Sequence, residues 1–317
     1  MGVLRGGVSN EYDVSLKTGA AVLKNLPNHY TSKDVLITRG GDWHLDGVLL
    51  PPHRIFRQLD VIWNALHGRY GEDGQVQKLM DHFGVIYTGS GVFGSMLGMN
   101  KEHTKGELIK HDIKMAASLT YDSDLDDIDD FRQSVFRMMP PPWVIKPVNS
   151  GSSVGVTLAY TIDDLVWGLE KALFHSARVI VEEYIRGREA TCGVIDDFRG
   201  EPYYPLPPVQ IIKPKARQFF DYTCKYDGTS QEICPGHFKK EERDEIERIA
   251  ALAHRALGLR HYSRSDMIVS PRGVYFLEIN SLPGLTEESL LPKALEAVGC
   301  SYSHFLDHVI NLALKGP

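Results

Sequence analysis

The stretch from Gly273 to Pro292, reading G-V-Y-F-L-E-I-N-S-L-P-G-L-T-E-E-S-L-L-P, constrains the chain most, because it sets Glu278 and Asn280 two residues apart in an apolar strand. Side chains at i and i+2 of a strand share a face. Just upstream, R-S-D-M-I-V-S runs into Pro271, Arg272 and Gly273, which read as a three-residue hairpin loop with glycine last. With Ser270 paired to Val274, Asp266 lies opposite Glu278 and Arg264 opposite Asn280, all on one face. Two carboxylates and an amide oxygen are hard ligands suited to Mg²⁺, and an adjacent guanidinium suits the anion such a metal accompanies. An ordinary hairpin with a charged outer face fits the same pattern.

At 317 residues the chain has material for two or three domains, and 43% hydrophobic with 24% charged residues is close to the globular average. A net charge of −6 without a basic stripe gives no case for nucleic acid, so the expected partner is a small molecule. Cys192, Cys224, Cys234 and Cys300 form no C-x-x-C pair, which suits reduced thiols in the cytoplasm. No run reaches the ~18 apolar residues of a membrane span, and no signal pattern opens the chain. A soluble, cytoplasmic protein is expected.

The opening M-G-V-L-R-G-G reads as a very short strand and a glycine turn, followed by a helix to about Leu26. L-D-V-I-W-N-A-L-H reads as a buried strand leading to the loop His67 to Gly74, a helix through Val76 and Leu79, and the strand G-V-I-Y-T-G. Alternating strands and helices predict a parallel α/β layer over roughly the first 90 residues. After Lys101, W-V-I-K-P-V and V-G-V-T-L-A-Y read as strands joined by N-S-G-S-S, and Thr161 with Asp164 reads as a capping box. The strand V-I-V-E-E-Y-I closes this block. More strands follow from G-R-E-A-T-C-G-V-I, then a long loop from Pro205 to Gly236, a helix from about Glu241 to Leu257 stopped by Gly258, the hairpin, and a final helix after Tyr302. The acidic run Asp122 to Asp130 resembles a calcium loop only superficially. It has Asp127 where glycine is needed and Gln133 where a bidentate Glu is needed, so it reads as a solvated connection.

Lys146 stands on a strand that enters the loop Asn149 to Gly155, whose small residues free backbone amides to wrap phosphate oxygens. A plain hairpin turn is the competing reading, as a solvated helix lysine is for Lys101. Glu182 and Glu183, polar among apolar neighbours, fit a strand edge presented to an adenine and ribose, or a structural salt bridge. The loop H-G-R-Y-G-E-D-G holds His67, Glu72 and Asp73 near the carboxyl end of a parallel sheet, where ligands gather. Glu11 is placed similarly after the first strand, either as a helix-start carboxylate or as a partner for a substrate ammonium.

The segments G-G-V-S-N-E-Y-D-V-S, H-G-R-Y-G-E-D-G-Q-V-Q, Y-T-G-S-G, M-N-K, V-I-K-P-V-N-S-G-S-S-V-G-V, V-E-E-Y-I-R-G-R-E, F-F-D-Y-T-C-K-Y, R-S-D and F-L-E-I-N-S-L-P-G-L-T-E-E-S-L-L-P follow the order found in D-alanine:D-alanine ligases of the ATP-grasp superfamily. The chain resembles that family over nearly its whole length. The resemblance implies an α/β ATP-grasp fold with an N-terminal parallel α/β substrate domain at 1–100. Central and C-terminal α+β domains at 101–183 and 184–317, with a lid at about 205–236, would clamp ATP between them. Lys101, Lys146, Ser153, Glu182, Glu183, Tyr184, Ile185 and Glu189 would hold ATP, with Phe219 and Leu277 near the adenine.

By the same resemblance Asp266, Glu278 and Asn280 would bind two Mg²⁺, with Mn²⁺ as a substitute, and Arg264 with the Gly284 amide would form the oxyanion site. Glu11 would take the first D-alanine's ammonium beside His67, Ser152 and Tyr226 would bond to Glu11 to shut the loop, and Lys225 would contact the transferred phosphoryl. Ser289 and Leu290 would receive the second D-alanine's carboxylate. A cytoplasmic homodimer making D-alanyl-D-alanine for peptidoglycan is implied, through an acyl phosphate that a closed lid shields from water. The chain departs from the family in its short first strand, whose edge is expected to be weakly ordered, and at Asn100, Ser281 and Gln210. Rival readings are a ligase for another amine or hydroxy acid, and a non-enzymatic nucleotide-binding protein.

Overall fold

The computed structural model of the protein describes residues 1–149, 151, 154–213 and 231–316. Ser152, Ser153, Phe219, Lys225 and Tyr226, together with the middle of the expected lid, lie outside the described residues.

The N-terminal sheet has the order β4-β3-β2-β1-β5, with β1 at Gly2–Gly6, β2 at Lys33–Ile37, β3 at Trp43–Leu45, β4 at Val48–Leu49 and β5 at Ile62–Asn64. Strands β2, β1 and β5 are parallel, as the sequence predicts, and Val3, Leu4, Val35, Ile62 and Trp63 are buried as a doubly covered sheet requires. The short first strand is an interior strand paired on both sides, so the expected weak edge is not there. Two further expectations fail here. The segment G-V-I-Y-T-G makes only the single bridge Ile62 to Tyr87, and β3 and β4 form an unforeseen antiparallel extension turned at Gly41, whose φ of 91° only glycine takes readily. Helices α1 at Tyr12–Asn25, α2 at Pro52–Phe56 and α3 at Gln75–His82 flank this sheet.

Helices α4 at Val92–Met99 and α5 at Lys101–Leu108 lead into the second sheet, and Asn100 caps α5 by accepting from the His103 N–H at 2.9 Å. That sheet has the order β6-β9-β7-β8, with β6 at Ser118–Asp122, β7 at Trp143–Pro147, β8 at Thr157–Ala159 and β9 at Arg178–Glu183. Helices α6 at Ile128–Met138 and α7 at Ile162–Leu173 cover it through Val135, Leu165 and Leu169, which pack with Trp143, Ile145 and Val181. The Thr161 capping box is present. The acidic run is not merely a solvated connection: its Asp122 ends β6, and Asp127 caps α6 by accepting from Asp129 and Asp130 N–H groups.

The third sheet has the order β13-β12-β10-β14-β15, with β11 also on β10. The strands are β10 at Arg188–Phe198, β11 at Glu201–Pro205, β12 at Val209–Ile212, β13 at Gln231–Ile233, β14 at Tyr262–Ser270 and β15 at Gly273–Asn280. The expected loop from Pro205 to Gly236 therefore carries two strands among its described residues. Helices α8 at Lys240–Ala256, α9 at Leu290–Ala297 and α10 at Tyr302–Lys315 complete the chain. Trp63 of β5 stacks on Tyr262 with ring centroids 6.0 Å apart and meets Phe305 edge-on at 6.1 Å, so the first and third sheets share a core.

A short strap joins the second and third sheets. The Phe276 N–H donates to the Lys114 carbonyl and the Glu183 N–H to the Ala117 carbonyl, both at 2.9 Å. The space between those sheets, roofed by the carboxyl end of the first, is the cleft described next.

Candidate functional site

The hairpin β14–β15 reaches the expected partners by a different route. Ser270 pairs with Gly273 across a two-residue turn, not with Val274 across a three-residue one. Gly273, at φ 118°, accepts the backbone this tighter turn imposes. A bulge between Asp266 and Met267 absorbs Leu277 and restores the register, so Asp266 opposes Glu278 and Arg264 opposes Asn280. All four line one cleft of about 970 Å³.

Asp266 is held from three sides. Arg264 donates to both of its oxygens, at 3.1 and 3.0 Å, Thr191 Oγ1 donates at 2.6 Å, and Asn280 Nδ2 approaches Oδ2 at 3.4 Å. Charge-assisted bonds of this kind fix a carboxylate more firmly than neutral ones. Glu278 faces Lys101, at 3.6 Å. Lys146 pairs with Glu182 at 2.7 Å. Burial lowers the Lys101 pKa, whereas at Lys146 the charges of Glu182 and Glu278 outweigh burial and raise it. Lys101 and Lys146 thus bring two buried ammonium groups to the cleft wall facing the hairpin.

The strand β9 is interior, with Glu182 paired to Ser118 on one side and Val144 on the other. The expectation of an exposed strand edge is therefore corrected: its backbone is engaged, the Glu182 carboxylate is held by lysines, and the Glu183 carboxylate pairs with Arg272 at 2.7 Å. Beyond the strand end, the Tyr184 N–H donates to the Pro142 carbonyl at 3.2 Å, and Ile185 joins Ala116, Ile268 and Tyr275 in a small apolar cluster against which Leu277 packs. Glu189, on β10, lines the cleft and pairs with Lys213.

At the other end of the cleft, the His67 ring sits against Thr18, with Nε2 2.8 Å from its hydroxyl, and burial pushes the imidazole pKa down. Glu11 lies in front of it, and its Oε2 would be 3.3 Å from a Cβ placed on Gly151. Glu72 accepts from the Gly68 N–H at 2.7 Å and the Leu282 N–H at 3.0 Å. Burial and the neighbouring Glu11 charge raise its pKa to about 8. Ser289 caps the loop after β15, accepting from the Thr286 N–H at 3.0 Å, and with Gly284 and Leu290 lines the cleft wall. A side chain at Gly284 would come within 3.1 Å of Ser289 Oγ, so the backbone runs close there.

The family model described as D-ala D-ala ligase C-terminus matches residues 93–311, and the D-ala D-ala ligase N-terminus model matches residues 48–90. The chain belongs to the D-alanine–D-alanine ligase family. A D-alanine–D-alanine ligase of Syntrophobacter fumaroxidans is 36% identical over 324 residues, which is 99% of this chain and 97% of the relative. The VanG D-Ala:D-Ser ligase from Enterococcus faecalis has a similar structure, with a TM-score of 0.87, 29% identity and 98% of both chains covered. The D-alanine–D-alanine ligase from Bacillus anthracis complexed with ATP gives a TM-score of 0.80 at 30% identity, over 99% of this chain and 97% of that one. The expected α/β ATP-grasp architecture is therefore correct.

Most of the described candidate residues line one cleft, but Glu182, Glu183, Tyr184 and Ile185 are not among its described lining residues. Glu72, Thr191 and Lys105 have no role in the sequence-based assignment, yet Thr191 bonds to Asp266 and Lys105 pairs with Glu182, both of which it includes, while Glu72 accepts from the Leu282 N–H. Glu72 had a signal, since it stands in the glycine-dense loop beside His67. Thr191 had none, because β10 and β14 pair across 75 residues of sequence.

Proposed function

We propose that the protein joins two D-alanine molecules into D-alanyl-D-alanine at the expense of ATP, for peptidoglycan precursors. The observation that carries this reading is one cleft lined by Lys101 and Lys146 with the Arg264, Asp266, Glu278 and Asn280 face at one end and by Glu11 and His67 at the other. A carboxylate at neutral pH is a poor electrophile. Transfer of the γ-phosphoryl group of ATP to an oxygen of the first D-alanine makes an acyl phosphate, and Lys101 and Lys146 are placed to neutralise phosphate oxygens. Lys225, from its motif, is assigned to the same phosphoryl group. The second D-alanine then attacks as the free amine, and phosphate leaves with the oxygen it accepted.

Arg264 is fixed by two hydrogen bonds to Asp266, so with the Gly284 N–H it can meet the oxyanion with little reorganisation. Glu11 takes the first ammonium, and neutral His67 orients it. Ser289 and Leu290 receive the second carboxylate. The apolar patch of Ile185, Ile268 and Leu277 suits an adenine ring, and Glu189 its ribose. Ser152, Ser153, Tyr226 and Phe219 keep the roles their motifs imply.

The hairpin face fits a magnesium ion. Among the described residues no three of His, Cys, Asp or Glu gather to hold a metal, but Mg²⁺ commonly takes one or two carboxylates and completes its shell with phosphate and water. Asp266, Glu278 and Asn280 would hold it, as two ions, with Mn²⁺ as a substitute. Bound there, the metal supplies charge neutralisation for phosphoryl transfer.

A cytoplasmic homodimer belongs to the same reading. Among the described residues no helix is long and apolar enough to cross a membrane, and Cys192, Cys234 and Cys300 are free thiols. Phe93 and Met96 expose 72% and 53% of their surface on α4, as a face for a second copy would. Phosphate release from ATP and Mg²⁺ tests the activity. It should depend on D-alanine and not start with L-alanine, and ATP binding without D-alanine-dependent release would overturn the proposal.

A further inference from the structure

Helix α5 carries a second lysine one turn beyond Lys101. Lys105 projects from the same side of the helix, as residues four apart do. Its ammonium donates to the Ala116 carbonyl at 3.0 Å and pairs with Glu182 Oε1, while Glu182 Oε2 pairs with Lys146 at 2.7 Å. Only 13% of the Lys105 side chain and 6% of that of Glu182 are exposed. Lys101 and Lys146 line the cleft, whereas Lys105 is not among its described lining residues and stands behind Glu182.

Burial raises the Glu182 pKa, but Lys146 and Lys105 outweigh it and hold the carboxyl down at about 2. One ionised carboxylate thus serves two ammonium groups, one oxygen each. Without Lys105 the whole Glu182 charge would fall to Lys146, and a phosphate would have to compete with it for that ammonium. Resting on the nucleotide site proposed above, we propose that Lys105 is a positioning residue for ATP binding, acting through Glu182 to keep the Lys146 ammonium available to a phosphate oxygen.

The test is ATP affinity by calorimetry, and steady-state kinetics in ATP and in D-alanine, for the wild type, K105M, K105R, E182Q and K105M/E182Q. K105M should raise the KM and Kd for ATP about tenfold, with kcat within about threefold and the D-alanine KM unchanged. K105R should recover ATP affinity to within about threefold, since it can still meet Glu182. In the E182Q background, K105M should change ATP affinity less than about twofold, because the residue through which it acts is gone.

An ATP affinity of K105M equal to that of the wild type would overturn the proposal. An equal rise in both KM values would do so too, as would a tenfold loss persisting in the E182Q background. Should K105M fail to fold, K105Q, which keeps a polar group beside Glu182 but not the charge, takes its place with the same expected and overturning outcomes. Calorimetry keeps the two ideas separable: wild type that binds ATP but makes no dipeptide overturns the functional reading, while the affinity series still tests Lys105.

Discussion

Glu72 accepts a hydrogen bond from the Leu282 N–H at 3.0 Å, across 210 residues of sequence. It joins the glycine-dense loop of the first sheet to the segment that follows the hairpin, over the cleft's substrate end. Because burial and then the Glu11 charge raise its pKa from 4.5 to about 8, the folded protein holds this proton more tightly than the unfolded chain does. The associated stability is fully present below the unfolded pKa and is lost as pH rises through the folded one. Glu72→Gln should remove that dependence. Melting temperatures from about pH 5 to about pH 9 should show the variant gaining on the wild type as pH rises, and a difference that stays flat would contradict the assignment.

Glu278→Gln removes a charge facing Lys101 and one of the oxygens assigned to the metal. Turnover should fall at least ~100-fold, because metal and charge stabilisation of phosphoryl transfer is worth several kcal/mol. Circular dichroism should show the fold intact. Retention of most activity would make Glu278 an ordinary strand carboxylate.

The hairpin shows what sequence can and cannot say. Alternation in R-S-D and F-L-E-I-N placed four side chains on one face, because that property is local. The turn and the bulge were not legible, and they cancel: the turn is one residue shorter than expected, and Leu277 restores the register. Had only one of them occurred, Glu278 would have faced away. The Thr161 capping box and the Gly258 stop were likewise readable from adjacent residues.

Pairings between distant strands were not readable. Polar Glu182 and Glu183 fit either an edge or a salt bridge, and β9 is interior, so the salt bridge holds: its charge is balanced by Lys105 and Lys146, which come from a helix and a neighbouring strand. Glu72 illustrates the same limit, since its partner Leu282 belongs to the other end of the chain.

The second subsite should prefer D-alanine to D-lactate near neutral pH. This rests on the motif F-D-Y-T-C-K-Y, where Tyr226 supplies an uncharged phenol and no cation to favour a net negative hydroxy acid over a zwitterion. Sites that pair a polar substituent can discriminate strongly by it. With equal D-alanine and D-lactate, mass spectrometry should find dipeptide in excess, and predominant depsipeptide would refute the preference.

In the proposed reaction one D-alanine carboxylate is phosphorylated in this cleft before the second amine attacks. The most direct test supplies D-alanine labelled with ¹⁸O in its carboxylate, together with ATP and Mg²⁺, and weighs the products. D-Alanyl-D-alanine, ADP and phosphate should form in equal amounts, with one labelled oxygen carried into each phosphate. Unlabelled phosphate, or ATP turnover without dipeptide, would contradict it.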